Sequence, residues 1–451
     1  MIKLPKKVVD LMSVFSKNKY QIFVVGGAVR DMLLDKEITN WDFTTNAAPE
    51  QILKMFSDAF YNNIYGTVSI PKNKIIFEIT PFRKESDYSD LRHPEKIEWA
   101  TTIEEDLSRR DFTINAIALR LTSFAQGKPT YEIIDPYEGQ KDLINKLIKA
   151  VGDPDIRFNE DALRLLRAVR LASQLGFIID DKIKNSIKKN ASLITKISAE
   201  RIRDEFLKIL SGDNPAEGIL FLKSTGLLSY VLPEVDVCFS IPQKSPKRHH
   251  IYDVGTHLIM ALKNCPSKDP ITRFATLIHD IGKVKTFHKD EKTDLITFYN
   301  HEVVGRNQAE IIADRFRLSN KQKDKLVTLV AEHQFTVSET QTDKAIRRFI
   351  RGVTKDYLQD MLDLRTGDRI GSGATPTSWR LDLFKKRLIE VQKQPFKITD
   401  LKITGSDVME ILKIEPGPKV GEILKKLFDQ VVERKIKNEK NILIISLEGL
   451  N

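Results

Sequence analysis

The 451-residue sequence predicts an α+β protein, with a small α/β head followed by a long all-α body. Strand-like runs are short and lie early, at 22–25, 41–45, 66–70, 75–80, 113–121 and 131–135. From about residue 140 nearly every segment has helical period. The length implies roughly three domains, and 41% hydrophobic with 30% charged residues fits a soluble globular chain with sizeable cores.

Composition narrows the function classes. The net charge of +10 and pI near 9.2 favour a polyanionic partner, most simply nucleic acid. Cys238 and Cys265 are the only cysteines, which excludes a disulfide framework and a zinc knuckle and suits a reducing cytoplasm. The start, MIKLPKKVVDLMSVFSKNKY, lacks a signal-peptide pattern and reads as an amphipathic helix. No run approaches the roughly 18 apolar residues of a membrane span. A cytoplasmic chain is therefore expected, with no membrane association and no protein partner called for.

Taken in order, Ile22–Val25 is an apolar run that stops at Gly26-Gly27, and a helical segment with Arg30-Asp31 follows. Asn40-Trp41-Asp42-Phe43 then opens a second strand. Glycines let backbone approach a ligand closely, and a helix start offers unpaired N–H groups to an anion. A carboxylate on the next strand can hold a metal against that anion. Gly-Gly before a helix is more often purely structural, so the rest of the chain must decide. In 75–80, Glu78 interrupts an apolar run; it is either a costly core carboxylate with a charged partner or a metal, or an edge residue facing solvent. Arg83 to Pro94 is polar and turn-rich and reads as a mobile loop. Arg109-Arg110-Asp111, with Asn115 four residues beyond Asp111, suits phosphate and ribose contacts, or equally an ion-paired helix–strand junction.

These motifs, Gly26-Gly27-x-Val29-Arg30-Asp31, Asp42, Glu78 and Arg109-Arg110-Asp111-x-x-x-Asn115-Ala116, resemble the class II tRNA nucleotidyltransferase and bacterial poly(A) polymerase family. The resemblance implies a polymerase β-like nucleotidyltransferase head. It also implies two aspartates flanking one residue as ligands of catalytic Mg2+. Here the first of them is Asn40, and an amide is a poorer magnesium ligand and no base. An engineered exchange, a natural variant of lowered activity and an inactive RNA-binding homologue are all open at this point. Asp35 likewise stands where the family usually has Gly.

Beyond Gly152-Asp153-Pro154, Asn159 reads as the N-cap of a helix carrying Glu160, Asp161, Arg164, Arg167 and Arg170. Asp161 and Arg164 are three apart and so share a face. The plain alternative is a capped helix with an intrahelical ion pair. The resemblance assigns Asp161 and Arg164 to reading the base of the incoming nucleotide. A donor-only Arg and an acceptor-only Asp match the free edges of cytosine and adenine. Guanine and uracil present ring N–H donors where Arg must donate, a mismatch of about 1–3 kcal/mol or more. Ser198 to Glu205 opens another amphipathic helix with Ser198 as its N-cap; it looks like the last family motif, which implies support for the nucleotide-selecting helix.

All histidines but His93 fall between 249 and 333: His249, His250, His257, His279, His288, His301 and His333. Thr276 to Lys283 carries His279-Asp280 on an otherwise apolar helix. This stretch resembles the HD phosphohydrolase domain. The resemblance implies His257, His279, Asp280 and Asp368 as ligands, with His301 and His333 at a second metal, either a divalent transition metal or Mg2+. The basic tail has a helix start at Ser406, a break at Glu415 to Gly421 and a helix over about 419–435. It resembles the end of HD-bearing CCA-adding enzymes, which implies tRNA phosphate contacts; solvated lysines on a helical cap are the alternative.

The expected organisation is a nucleotidyltransferase head (1–145), a helical neck for nucleotide selection and RNA binding (146–236), an HD metal-binding domain (237–375) and a tRNA-binding tail (376–451). The resemblance implies template-free addition of CCA to tRNA from CTP and ATP. Asp42, Glu78 and Asn40 form the Mg2+ set, Gly26, Gly27 and Arg30 hold triphosphate, Arg110 and Asp111 touch phosphate or ribose, and Arg167 and Arg170 support the base-reading pair. Poly(A) synthesis, partial CC or A addition, and an HD-type phosphohydrolase with an RNA-binding head are the alternatives.

Overall fold

A computed structural model of the chain describes residues 4–61, 66–72, 75–88, 94–125, 128–244, 252–392, 398–433 and 435–449. The contacts divide the chain into two compact units, Met1–Val237 with Arg315–Arg317, and Cys238–Asp314 with Leu318–Asn451.

The first unit opens with α1 (Lys6–Lys17), whose Val8, Leu11, Met12 and Phe15 recur at helical spacing and are buried. Next come β1 (Ile22–Val25), α2 (Gly27–Leu33), β2 (Asp42–Thr45), α3 (Pro49–Met55), β3 (Phe60–Tyr61), β4 (Val68–Lys72) and β5 (Ile75–Pro81). After β6 (Arg83–Tyr88), β7 (Pro94–Trp99) and α4 (Ile103–Ser108), the head closes with β8 (Ala118–Ala125), β9 (Lys128–Ile134) and α5 (Gly139–Ile144). Seven strands form one sheet in the order β3-β4-β5-β2-β1-β8-β9, and only β2 and β5 run parallel.

All four residues of β1 are buried, as expected of an apolar strand flanked on both sides, here by β2 and β8. Register then sets the site. Val25 lies opposite Asp42, and Asp42 opposite Glu78. In-register neighbours point to the same face, so Asp42 and Glu78 share the open face. Phe43 and Phe77 fill the other, edge to face at 5.6 Å. Burying rings of this kind contributes roughly 1.5–3 kcal/mol each, which anchors the strands that carry the acids.

Several expectations needed correction. The run 113–121 is not all strand. Thr113–Asn115 is a 3-10 turn, held by the Thr113 hydroxyl donating to Asp142 at 2.7 Å, and β8 begins at Ala118. The polar stretch 83–94 is not simply a loop, because β6 and β7 pair as a hairpin outside the main sheet; its tip, 89–93, lies outside the described residues. A hairpin with no third strand needs no buried alternating face, so its sequence reads as loop.

The rest of this unit contains β10 (Leu147–Ile148), α6 (Pro154–Glu160), α7 (Leu163–Leu175), β11 (Ile178–Ile179), α8 (Asp181–Asn190) and α9 (Ala199–Ser211). Asn159 is not an N-cap. It lies in the last turn of α6, which Asp153 caps, and its side chain donates back to the Asp155 carbonyl at 2.8 Å. The chain breaks at Asp161 in extended conformation before α7 begins. Ser198 does precede α9 but makes no side-chain cap bond.

In the second unit, helices Val254–Lys263, Pro270–Ile278, Asn320–Glu332 and Leu358–Gly371 enclose the buried histidines. His279 is not within a helix. It caps Pro270–Ile278, and Asp280 sits in the turn beyond. Two close approaches fix this arrangement. A Cβ on Gly367 would lie 2.5 Å from the Ala261 carbonyl oxygen, and one on Gly282 would meet the His301 carbonyl oxygen at 2.0 Å. The tail has its own core, with Val408, Leu427, Leu443 and Leu447 fully buried. Its helix starts at Gly405, capped by Thr404 rather than Ser406, and the next spans Pro418–Val432.

Candidate active site and a second candidate metal centre

The first site forms where β1 ends. Gly26 has φ +69° and ψ −136°, a conformation that costs a side chain about 1–3 kcal/mol. A Cβ there would stand 3.0 Å from Arg110 Nη1 and 3.9 Å from Asp42 Oδ2. The bare backbone, the guanidinium and the carboxylate therefore converge. Burial raises Asp42 from its ordinary carboxylate value, and Arg110 opposes the rise. Its side chain is nonetheless open to solvent, as is that of Glu78 beside it. Asn40 is exposed in the loop leading into β2.

Arg110 is held by Asp106, a wholly buried carboxylate not singled out from the sequence. Asp106 takes Arg110 Nη2 at 3.3 Å and Arg109 Nη2 at 2.7 Å. Burial raises Asp106, but the two arginines outweigh it and keep the group below its usual range. The signal was present as an Asp three and four residues before paired arginines. Arg30 Nη1 donates to Asn115 Oδ1 at 2.8 Å, and Asn115 Nδ2 donates to Asp111 Oδ1 at 3.1 Å. Arg30 also pairs with Asp31 at 2.8 Å.

Asp111 departs from its expected role. Its Oδ1 also accepts Phe112 N–H at 2.9 Å, and its Oδ2 accepts Arg167 Nε and Nη2 at 2.8 and 2.6 Å. A carboxylate has about four lone-pair sites, and all are taken, so none is left for a ribose hydroxyl. Burial alone would raise this group; Arg167, Asn115 and Arg164 hold it well below the ordinary range instead. Asp111 is thus the joint between the head and α7. Farther along α7, Arg170 Nε pairs with buried Glu205 at 2.6 Å.

Asp161 and Arg164 lie side by side in sequence spacing, but they are tied to other groups. Arg164 Nη1 donates to the Arg157 carbonyl at 3.1 Å and to Glu160, and Nη2 donates to the Arg109 carbonyl at 3.0 Å. Asp161 Oδ1 accepts Leu163 N–H at 3.0 Å, and Oδ2 accepts Arg201 Nη2 at 2.8 Å. Arg has five N–H donors and a carboxylate about four acceptor sites. Among the described residues, these bonds leave part of each group's hydrogen-bonding capacity unused.

The second site gathers six side chains from five places in the chain. His257 Nε2 and His279 Nε2 each lie 3.3 Å from Asp280 Oδ2, and they stand 3.3 and 3.6 Å from Asp368 Oδ1. His301 and His333 Nε2 approach the other Asp280 oxygen at 3.2 and 3.5 Å. His279, His301 and His333 each donate Nδ1–H to a backbone carbonyl, at 2.8, 2.8 and 2.7 Å. This fixes the tautomer that turns Nε2 lone pairs inward. Ligand atoms around one ion with bonds of about 2.1 Å sit roughly 3.0–3.4 Å apart, close to the 3.2–3.6 Å between these atoms. These atoms include two groups that could each hold a divalent ion, His257, His279 and Asp280, and Asp280, His301 and His333.

The two carboxylates dominate the electrostatics of the cluster. Burial lowers a histidine, yet Asp280 and Asp368 overcome it and push His279 up to about 10 and His257 also upward. Burial likewise raises Asp280 and Asp368, but cationic neighbours, led by Lys283 for Asp280 and by the hydrogen bond from His257 for Asp368, hold both well below the carboxylate range. Burial lowers His333, with Asp280 opposing. Lys283 Nζ lies 2.6 Å from Asp280 and bonds Gln243 at 2.7 Å, contacts that the sequence did not reveal. A cavity of about 580 Å³ opens onto the cluster, lined also by Tyr299, Arg365 and Arg369. His249 and His250 lie outside the described residues, and His288 is exposed.

A mixed sheet with a glycine turn beside strand-borne carboxylates is the frame of a nucleotidyltransferase head. Residues 22–149 match a family described as the poly A polymerase head domain. Residues 176–239 match a probable RNA and SrmB-binding site of polymerase A, and 287–446 match tRNA nucleotidyltransferase domain 2. The CCA-adding enzyme of Ligilactobacillus salivarius (strain UCC118) is 32% identical over 446 residues, covering 99% of this chain and 96% of that protein. The crystal structure of the Bacillus stearothermophilus CCA-adding enzyme in complex with CTP is similar with a TM-score of 0.69 and 25% identity, covering 99% of this chain and 97% of that one. The Thermotoga maritima CCA-adding enzyme complexed with tRNA shares the fold at 18% identity and a TM-score of 0.59, covering 99% and 97%. The chain belongs to the CCA-adding enzyme family. Enzymes of this family depend on a divalent metal, generally Mg2+.

Proposed function

We propose that this chain adds C, C and A without a template to the 3′ end of tRNA, using CTP and ATP and releasing pyrophosphate. The observation that carries the reading is the register pair Asp42 and Glu78 beside the Gly26 turn and Arg110. The Gly26-Gly27 backbone and Arg110 would take the triphosphate, with Arg30 bracing the turn through Asn115. Arg164 would donate to N3 and O2 of cytosine or N1 of adenine, while Asp161 accepts from the exocyclic amine. Guanine and uracil place an N–H where Arg164 also donates, so they are refused.

Asp42 and Glu78 would hold Mg2+, which needs only one or two carboxylates when substrate phosphates complete its shell. Asn40 adds a neutral oxygen at most. When bound, the metal would lower the pKa of the attacking 3′-hydroxyl and neutralise charge developing at the α-phosphate. We place the chain in the cytoplasm; no helix among the described residues is long and apolar enough to cross a membrane, and Cys238 and Cys265 are free thiols.

The test incubates tRNA lacking its terminal CCA with CTP and ATP, using this chain and its Asn40→Asp variant. Three added nucleotides followed by arrest are expected. Unlimited addition of A would mean a poly(A) polymerase, and no incorporation by either chain would overturn the transferase reading.

A second reading concerns the other unit. The six-residue cluster around Asp280 supports an HD-type centre for one or two divalent ions that hydrolyses phosphoesters. Lys283, Arg365 and Arg369 would meet substrate phosphate there. Metal-dependent phosphatase activity is expected, and activity that persists in His279→Ala would refute the assigned ligands.

A further inference from the structure

We infer that the cavity beside Asp280 takes a free ribonucleoside 5′-monophosphate, with its base stacked on Tyr299 and its ribose hydroxyls donating to Glu302; this rests on the phosphoester-hydrolysing reading of the cluster. The segment Thr297 to Glu302 forms one wall of the cavity. Within it, Phe298 packs against its neighbours. Its ring lies 5.3 Å from Lys283 Nζ and 6.0 Å from the Phe287 ring, and its carbonyl accepts His301 Nδ1–H at 2.8 Å. Asn300 then takes φ +59°, a left-handed turn that asparagine tolerates, and the helix His301–Arg315 follows. Tyr299 is left on the rim, 77% exposed.

The lining divides by what its side chains already hold. Lys283 pairs with Asp280, Arg365 Nη1 bonds Asp368 at 3.3 Å, and Arg369 donates to the Thr375 and Thr377 carbonyls at 3.1 and 3.3 Å. These cations flank Asp280 and Asp368 and suit a phosphate. On the other wall, the Tyr299 hydroxyl and the side chains of Asn300 and Glu302 make no hydrogen bond among the described residues, and nor does the Gln334 amide. An exposed ring offers its face to a base, and an amide offers a donor and an acceptor to the base edge. A carboxylate only accepts, which suits paired ribose hydroxyls. A plain sugar phosphate would leave the ring and the amides unused. Glu302 repels a second phosphate, which favours a monophosphate over a triphosphate. Two residues of chain span at most about 7 Å, so Tyr299 stands close to His301, whose Nε2 is 3.2 Å from Asp280. Phosphate at the cluster and base at the ring can thus belong to one molecule, and about 580 Å³ is the size of a small-molecule site. In the reaction, water adds to phosphorus, the P–O5′ bond breaks and a water proton passes to O5′, giving nucleoside and inorganic phosphate.

The experiment measures dissociation constants for non-hydrolysable phosphonate analogues of AMP, 2′-deoxy-AMP and ribose 5-phosphate on the full chain supplied with Mn2+, a readout that does not depend on turnover. Binding by the head is common to all variants, so differences between them report this cavity. Tyr299→Ala is expected to weaken the AMP analogue roughly ten- to a hundredfold, the scale of one base stacked on an aromatic ring, and to leave the ribose 5-phosphate analogue unchanged. Tyr299→Phe should keep the AMP value. Glu302→Gln should bring the AMP analogue to the affinity of its 2′-deoxy form. An unaltered AMP affinity in Tyr299→Ala, or equal binding of the AMP and ribose 5-phosphate analogues by the unaltered chain, would overturn the nucleoside site. Tighter binding of an RNA trinucleotide ending in a 3′-phosphate would overturn the free nucleotide as occupant. His279→Ala should weaken all three analogues alike. Unchanged affinities there would overturn the metal-centre reading instead, and the Tyr299 comparison would still decide the nucleoside site.

Discussion

Asp111→Asn removes the charge from a carboxylate whose four acceptor positions are filled, while leaving its shape almost unchanged. Arg167 then loses the partner it bonds at 2.8 and 2.6 Å. Breaking a buried ion pair by removing one member costs about 3–5 kcal/mol. Asp111 is only 7% exposed, but the Arg167 side chain is 35% exposed and water takes over part of its solvation. A discounted loss of about 2–4 kcal/mol is therefore expected. For a unit of this size, about 1 kcal/mol moves the melting temperature by roughly 2–4 °C, so the first unit should melt roughly 4–16 °C earlier. Calorimetry at neutral pH reads this directly. The pH dependence follows from the depressed folded-state pKa: the pair's contribution is complete above about pH 5 and is lost as pH falls through the acid range. The gap between wild type and Asp111→Asn should accordingly narrow in acid. A double-mutant cycle with Arg167→Met should give a coupling of about 2 kcal/mol or more. Coupling below about 0.5 kcal/mol, or melting temperatures within a degree of each other, would refute the claim that this pair joins α7 to the head.

Three further outcomes are expected. Asn40→Asp adds a charged ligand beside Asp42 and should raise the rate of CMP incorporation by about tenfold or more; an unchanged rate would show that position 40 does not serve the metal. Gly26→Ala places a Cβ 3.0 Å from Arg110 Nη1 at a backbone angle that side chains avoid, so KM for CTP and ATP should rise by about tenfold while the helical unit melts normally; unaltered KM values would remove the turn from the triphosphate site. His279→Ala should lower the bound divalent metal, measured by elemental analysis, by at least one ion per chain, and equal metal content would show that the cluster holds none through His279.

Local pattern determined much of this protein. The inward row of α1, the apolar run of β1, the glycine turn after it and the helical character of the tail follow from spacing and propensity, which act over a few residues. The residue types needed for phosphate, base and metal chemistry were also legible, including all six members of the second site. Tertiary structure decided how they were used. Asp111 was expected at the substrate, but the packing of α7 on the head brings Arg167 to it and fills its acceptor sites. Asp161 and Arg164 have the spacing of a helical pair, yet the break at Asp161 lets Arg201 and the Arg109 carbonyl claim them. Asp106, Arg201 and Lys283 gained their importance only through partners. The histidine–aspartate cluster depends on Gly282 and Gly367 allowing backbones to come closer than any Cβ permits. Spacing along a chain determines which side chains share a face, but a charged group's role depends on which counter-charges reach it, and those arrive from elements far apart in sequence.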